Sequence, residues 1–240
     1  MVEIILGHKG GIGKSTISAY RAEYLKEKEE KEVMCIDTDP ENTTFLKYKN
    51  LNPIHIQIKD DTTGDIDKSK LDDLTEIILD NKDKNLVIDT GSTTYTPLVS
   101  YLIENDFFSI LDNENIEYRL LCIVHGGGNT LDSINGIVKI NNKFPNASLI
   151  VFNNELQAST SFNNKELTET KAYQSIKDNV IGIVNIPKKS SYIVDDITSM
   201  AQKRLLFSDL LANEDFKMMQ KRRLLIYKDD LWNEFDKLGL

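Results

Sequence analysis

Residues 7–16 read GHKGGIGKST, and the fold turns on how that stretch is understood. A phosphate-binding loop of the ordinary pattern G-x-x-x-x-G-K-[ST] would carry its first glycine at position 8. His8 stands there instead, Gly7 falls one residue early, and a second lysine, Lys9, sits inside the loop. The surroundings nevertheless suit phosphate. The apolar run VEIIL (2–6) leads in as a strand, and STISAYRAEYLKEK leads out as a helix with Ile17, Tyr20 and Tyr24 on one face. The backbone of Gly10, Gly11, Ile12 and Gly13 can turn its N–H groups onto phosphate oxygens, and the helix N-terminus adds the positive end of its dipole. In such a loop Lys14 meets the β- and γ-phosphates, Ser15 ligates Mg²⁺ and Thr16 bonds the α-phosphate.

Working outward, short apolar runs rich in β-branched residues alternate with amphipathic segments. The runs are VEIIL (2–6), EVMCID (32–37), IHIQI (54–58), NLVID (85–89), RLLCIVH (119–125), ASLIVFN (147–153) and VIGIVNI (180–186). Several are apolar throughout rather than alternating, which is the pattern of strands covered on both faces. Helical patterns fall at Ser15 to about Glu30, Leu71–Asp80, Tyr95–Glu104, Thr130–Phe144 and Lys165–Asp178. This predicts an α/β fold: a doubly wound, mostly parallel sheet of about seven strands with helices on both faces. Without repeats or a linker rich in Pro, Gly or Ser, residues 1–240 read as one P-loop domain with a helical C-terminal segment from about 190.

A phosphate loop needs acidic residues at the ends of neighbouring strands, and the chain supplies them. EVMCIDTDPEN ends a strand with Asp37 and Asp39, and NLVIDTGSTT ends another with Asp89. Asp37 and Asp89 join Ser15 as candidate metal ligands, directly or through water. Gly91 can present its N–H to a γ-phosphate, and Pro40 stiffens the turn that holds the Asp39 carboxylate near an attacking water. One such Asp would more often cap a turn; three, each after a strand and in this order, indicate a site.

KGGIGKST resembles the deviant Walker A loop, K-G-G-x-G-K-[ST], of the ParA/MinD superfamily of P-loop ATPases, which does not require glycine at position 8. The resemblance implies a catalytic set of Lys9, Lys14 and Asp39. Lys9 would be the signature lysine that reaches the partner subunit's nucleotide in an ATP-bound homodimer. DTDP (37–40) resembles switch I, and VIDTG (87–91) the Walker B and switch II segment. DTDPENTTFLKY, VIDTGSTTYTPLVSYLIEN, GGGNTLDSINGI, VFNNEL and DDITSMAQKRLLFSDLL resemble stretches of TraL-type conjugal transfer and StbB-type plasmid stability proteins. Switch II departs from the proline-containing DTPP of partition ATPases. By the same resemblance Asn153 falls at the adenine edge and Pro187 in the base pocket; an ordinary turn role suits either as well.

The rest of the chain narrows the field. A net charge of −9 argues against a whole surface built to coat nucleic acid or anionic membrane. No run approaches the ~20 apolar residues of a membrane span, and Cys35 and Cys122 lie within apolar strands. These features imply a reduced, cytoplasmic protein without stable membrane insertion. His8, His55 and His125 lack metal-site spacing, and GGG at 126–128 reads as a tight turn or a second phosphate-facing loop. In the C-terminal segment Leu224, Leu231, Phe235 and Leu238 recur at helical spacing, favouring packing on the body. Lys217, Lys221, Arg222 and Arg223 leave DNA, or a DNA-bound adaptor, as a further partner.

The expected function is thus a slow, partner-stimulated ATPase using ATP/ADP and Mg²⁺ as a dimer switch in plasmid stability or conjugal transfer. Two alternatives stand beside it: a metabolic or redox enzyme (nitrogenase-reductase-like or dethiobiotin-synthetase-like), and a switch that binds nucleotide without hydrolysing it.

Overall fold

The computed structural model describes residues 1–60, 66–128, 130–162 and 164–239, so Asn129 of the GGGNTLDSINGI stretch lies outside the described residues. Its strands are β1 (Val2–Leu6), β2 (Val33–Asp37), β3 (Ile54–His55), β4 (Asn85–Asp89), β5 (Tyr118–His125), β6 (Ser148–Asn154) and β7 (Val180–Ile186). They form one seven-stranded sheet in the order β3-β2-β4-β1-β5-β6-β7, parallel at every pairing. The helices are α1 (Lys14–Lys28), α2 (Asp72–Asp80), α3 (Tyr95–Glu104), α4 (Phe107–Asn113), α5 (Thr130–Lys143), α6 (Lys171–Gln174), α7 (Ser191–Gln202) and α8 (Met218–Asp236).

The continuously apolar strands are explained by cover on both faces. In β1, Ile5 packs with α1, α7 and α8, while Val2, Ile4 and Leu6 pack with α3, α4 and α5. The same alternation divides Cys35 from Ile36, Val87 from Ile88, and Phe152 from Val151. The two thiols are buried, and that burial pushes each up to about 12.

Two expected elements are shorter than the sequence pattern. IHIQI forms a strand only at Ile54–His55, at the sheet edge, because the chain pairs there with the last residues of β2 alone. The segment Lys165–Asp178 is not a continuous helix: two 3₁₀ turns flank the short α6, whose N-cap Thr170 accepts a bond from the Tyr173 N–H. At the C-terminus, Leu224, Leu231 and Phe235 are buried on the α1 face and Leu238 packs beside them.

A charged clamp ties β1 to α1. The Arg21 guanidinium donates to both carboxylate oxygens of Glu3 at 2.8 Å, with both side chains almost wholly excluded from solvent. The guanidinium also lies 5.1 Å from the centroid of the Tyr24 ring and 5.3 Å from that of Phe235, which carries the clamp onto α8. The loop at residues 7–13 is therefore strung between two elements locked together one helical face away.

β1 lies between β4 and β5, and the chain winds outward from it in both directions. At such a switch point the connections leave the strand ends on opposite faces and open a crevice beyond the carboxyl ends of the strands. The motif residues of the sequence all fall there.

Candidate functional site

The loop turns on glycines that no other residue replaces cheaply. Gly11 and Gly13 have φ of 74° and 95°, and Gly13 stands at the N-cap of α1. Lys14 opens the helix, and its ammonium folds back to donate to the Lys9 carbonyl at 2.7 Å. Burial lowers the Lys14 pKa, with the carboxylates of Asp89 and Asp39 opposing. The lysine is thus held within the loop, in a partly desolvated position where an anion gains most from it.

Behind Ser15 lies Asp89, buried at the end of β4. It accepts from the Ser18 hydroxyl at 2.7 Å. Burial pushes the Asp89 carboxyl up to about 7, against the hydroxyls of Ser15 and Ser18 and the Lys14 ammonium. Asp37, at the end of the adjacent β2, is spent differently. Its two carboxylate oxygens accept the backbone N–H groups of Asp39 and Leu46, each at 2.9 Å. Through these bonds Asp37 fixes the turn that carries Asp39.

Asp39 accepts from the N–H groups of Glu41 and Asn42 at 2.9 and 3.0 Å, which aims its carboxylate inward. It passes so close to Gly91 that a Cβ there would lie 2.6 Å from the Asp39 Cγ. Glycine at 91 is needed for this approach of the two switch segments. Asp39, Lys14, Ser15, Thr16, Asn42 and Ser92 are among the residues lining one open cavity of about 420 Å³. The donors facing it and behind it are hydroxyl and carboxylate oxygens, a set that suits Mg²⁺ rather than a softer metal. Ser15 would hold the ion at the cavity wall and Asp89 would support it from behind.

Lys9 is engaged at the surface, 2.8 Å from a carboxylate oxygen of Asp132 in the first turn of α5. This ion pair holds the Asp132 carboxyl below its ordinary range.

A second cavity of about 250 Å³ adjoins the loop, lined by Thr16, Tyr20, His125, Asn154, Gln157 and Arg204 among others. Asn153 is not among its walls. It shares the sheet face of Val151, accepts from Thr160 Oγ1 at 2.6 Å and donates to Asn185 at 3.2 Å. Alternation along β6 turns Asn154 toward the cavity instead, beside the face that carries Phe152. Pro187 lines a separate hollow between β7 and α8, with Asp230 and Leu231. Neither Asn153 nor Pro187 thus lines the cavity beside the loop. GGG at 126–128 is a packing turn: the N–H groups of Gly126 and Gly127 donate to the carbonyls of Asn154 and Ser159, so they do not face phosphate.

Sequence reasoning missed Ser18, Ser92, Asn154 and Arg204. Ser18 lies one helical turn after Lys14, so its position under the loop was available from spacing. Arg204 lies within the DDITSMAQKRLLFSDLL stretch, yet nothing there marks it for a site, and it lines the cavity only through the packing of α7.

A parallel sheet with a glycine loop between its central strand and α1, and aspartates ending the two strands on one side of it, β4 and β2, defines a P-loop nucleotide-binding protein. The CobQ/CobB/MinD/ParA nucleotide-binding domain model matches residues 4–198, and the chain belongs to that family. It is similar to two proteins of Escherichia coli called Protein TraL. One is 35% identical over 98% of this chain and 97% of its own length, the other 33% identical over 100% and 98%. Among solved structures, the MinC:MinD cell division protein complex of Aquifex aeolicus superposes with a TM-score of 0.51 at 17% identity. That match covers 97% of this chain and 95% of the other, and supports the fold.

Proposed function

We propose that this chain is an ATP-hydrolysing dimer switch of the ParA/MinD type, acting in conjugal transfer or plasmid stability. The observation that carries the reading is the single 420 Å³ cavity onto which Lys14, Ser15 and Asp39 converge from the loop and switch I. Lys14 and the loop amides bind the β- and γ-phosphates. Ser15, backed by Asp89, holds Mg²⁺, which would supply charge neutralisation between those phosphates. Asp39 orients the attacking water, and Gly91 places an N–H beside the γ-phosphate. Lys9 exchanges Asp132 for the nucleotide of a second subunit, so ATP holds the homodimer and hydrolysis releases it.

The setting is inferred from the TraL relatives: a cytoplasmic protein that positions plasmid DNA, directly or through a DNA-bound adaptor. Among the described residues no helix is long and apolar enough to cross a membrane. Redox chemistry is disfavoured because Cys35 and Cys122 sit inside strands with their thiols pushed up to about 12, where neither reaches a cluster at the surface.

Light scattering with and without ATP and Mg²⁺ tests the switch. The wild-type protein should become dimeric with ATP and Lys14→Ala should stay monomeric; a wild-type monomer in saturating ATP would refute the dimer. Asp39→Ala should bind ATP yet lose most phosphate release, and normal turnover in that variant would remove Asp39 from the mechanism.

A further inference from the structure

The cavity beside Thr16 is surrounded by polar groups that the protein leaves unsatisfied. Tyr20 is 2% exposed and its hydroxyl has no hydrogen-bond partner. The His125 Nδ1, from another lining residue, is also buried without one. Just beyond the lining, the Tyr48 hydroxyl is buried, with the Thr16 and Arg204 side chains beside it. Native interiors seldom leave such atoms bare unless something else completes them.

Arg204 is the one cation among the residues that line this cavity. It occupies the residue position after α7 and its 3₁₀-like last turn where the chain reverses, with φ of 56°. The N–H groups of Arg204 and Leu205 bond back to the carbonyls of Ala201 and Met200, the arrangement that ends helices in a left-handed residue. Glycine is the natural occupant there, because a side chain in that conformation crowds its own backbone. An arginine in its place is a local cost without a local gain beyond one bond from Nη1 to the Ala201 carbonyl at 2.6 Å. Strain retained at a cavity wall points to a role for the side chain.

Resting on the nucleotide reading above, we propose that Arg204 is a nucleotide-binding residue that meets the α-phosphate from the α7 side. Three observations place it there. It lines the same cavity as Gly11, Gly13 and Thr16. Through Tyr48 it shares a neighbour with Thr16, the residue that bonds the α-phosphate in this kind of loop. The remaining walls near it offer neutral side chains, so an anion entering the cavity finds one fixed countercharge on that side. The α-phosphate is common to ATP and ADP, so the contact serves affinity and leaves the discrimination between them to Gly91 and the switches.

Arg204→Gly is the decisive variant, because it removes the cation while giving the backbone the residue its conformation prefers. Calorimetric titration of the full chain with ATP and with ADP, in Mg²⁺, should show both affinities falling by about tenfold and in parallel. The melting temperature of the nucleotide-free variant should hold or rise by about 2 °C. Affinities within twofold of wild type would reduce Arg204 to a helix cap and overturn the inference. A loss confined to ATP would place the contact at the γ-phosphate and overturn it as stated. If the wild-type chain bound neither nucleotide, the underlying reading of the site would fail first, and the inference with it.

Discussion

The Glu3–Arg21 pair is the sharpest test of how the loop is held. Replacing Arg21 by methionine keeps an unbranched apolar stem and removes the charge, leaving the Glu3 carboxylate at 0% exposure without its bidentate partner. Breaking a buried ion pair from one side typically costs 3–5 kcal/mol. The loss of the contacts to Tyr24 and Phe235 adds to this, while Arg119, with Nη1 3.8 Å from the same carboxylate, takes over part of the charge. The expected net cost is about 3–4 kcal/mol, a large share of the 5–15 kcal/mol by which domains are stable. Removing both charges in Glu3→Leu/Arg21→Met should recover most of it and bring the protein to within about 1–2 kcal/mol of wild type. Urea unfolding of the two single variants and the double variant measures the coupling. Additive losses, with the double variant as unstable as the two singles together, would show that the pair is not the energetic unit described. The double variant should also bind ATP somewhat more weakly, since its loop is strung between less firmly joined elements.

Other substitutions probe the site more locally. Gly91→Ala puts a Cβ 2.6 Å from Asp39 Cγ, so Asp39 must move; phosphate release should fall at least about tenfold while ATP affinity changes little. Asp89→Asn, in nucleotide- and magnesium-free protein, should be more stable than wild type at pH 8. The folded Asp89 carboxyl, raised to about 7 from an ordinary 3.8, binds its proton more readily than the unfolded chain, so wild-type stability falls as pH rises through that window. The gap between the two melting curves should therefore close on acidification from pH 8 to 5; a constant gap refutes the assignment. Gly126→Ala places a Cβ 1.7 Å from the Ala158 carbonyl oxygen and should cost several kcal/mol, seen as a melting point about 5 °C or more below wild type.

How much was legible in the sequence depended on whether a feature was local. The loop, the three strand-end aspartates and the doubly wound sheet announce themselves through spacing and continuous apolar runs. Asn154 went unnoticed because its strand was read as ending one residue early: β6 runs on to Asn154, and period-two alternation turns that residue to the cavity beside the loop. Nothing in the chain order reveals that the Leu46 N–H returns to the Asp37 carboxylate. Arg204 was invisible for the same reason, since only the tertiary packing of α7, which lies on α8, brings its C-terminal end to the cavity beside the loop. The segment Lys165–Asp178 misled by composition, for its helical pattern is broken by caps at Thr170 and Ile176.

The bond from the Lys14 ammonium to the Lys9 carbonyl gives the loop an internal rival for a phosphate. A γ-phosphate that draws Lys14 away leaves the Lys9 backbone one contact poorer, just as the same residue's side chain is wanted elsewhere. On the dimer reading proposed above, occupancy in one subunit would then loosen the very residue that has to cross to the other. The Lys9–Gly10 peptide becomes a relay between two lysine side chains, and the first consequence of filling a site would be felt across the proposed dimer.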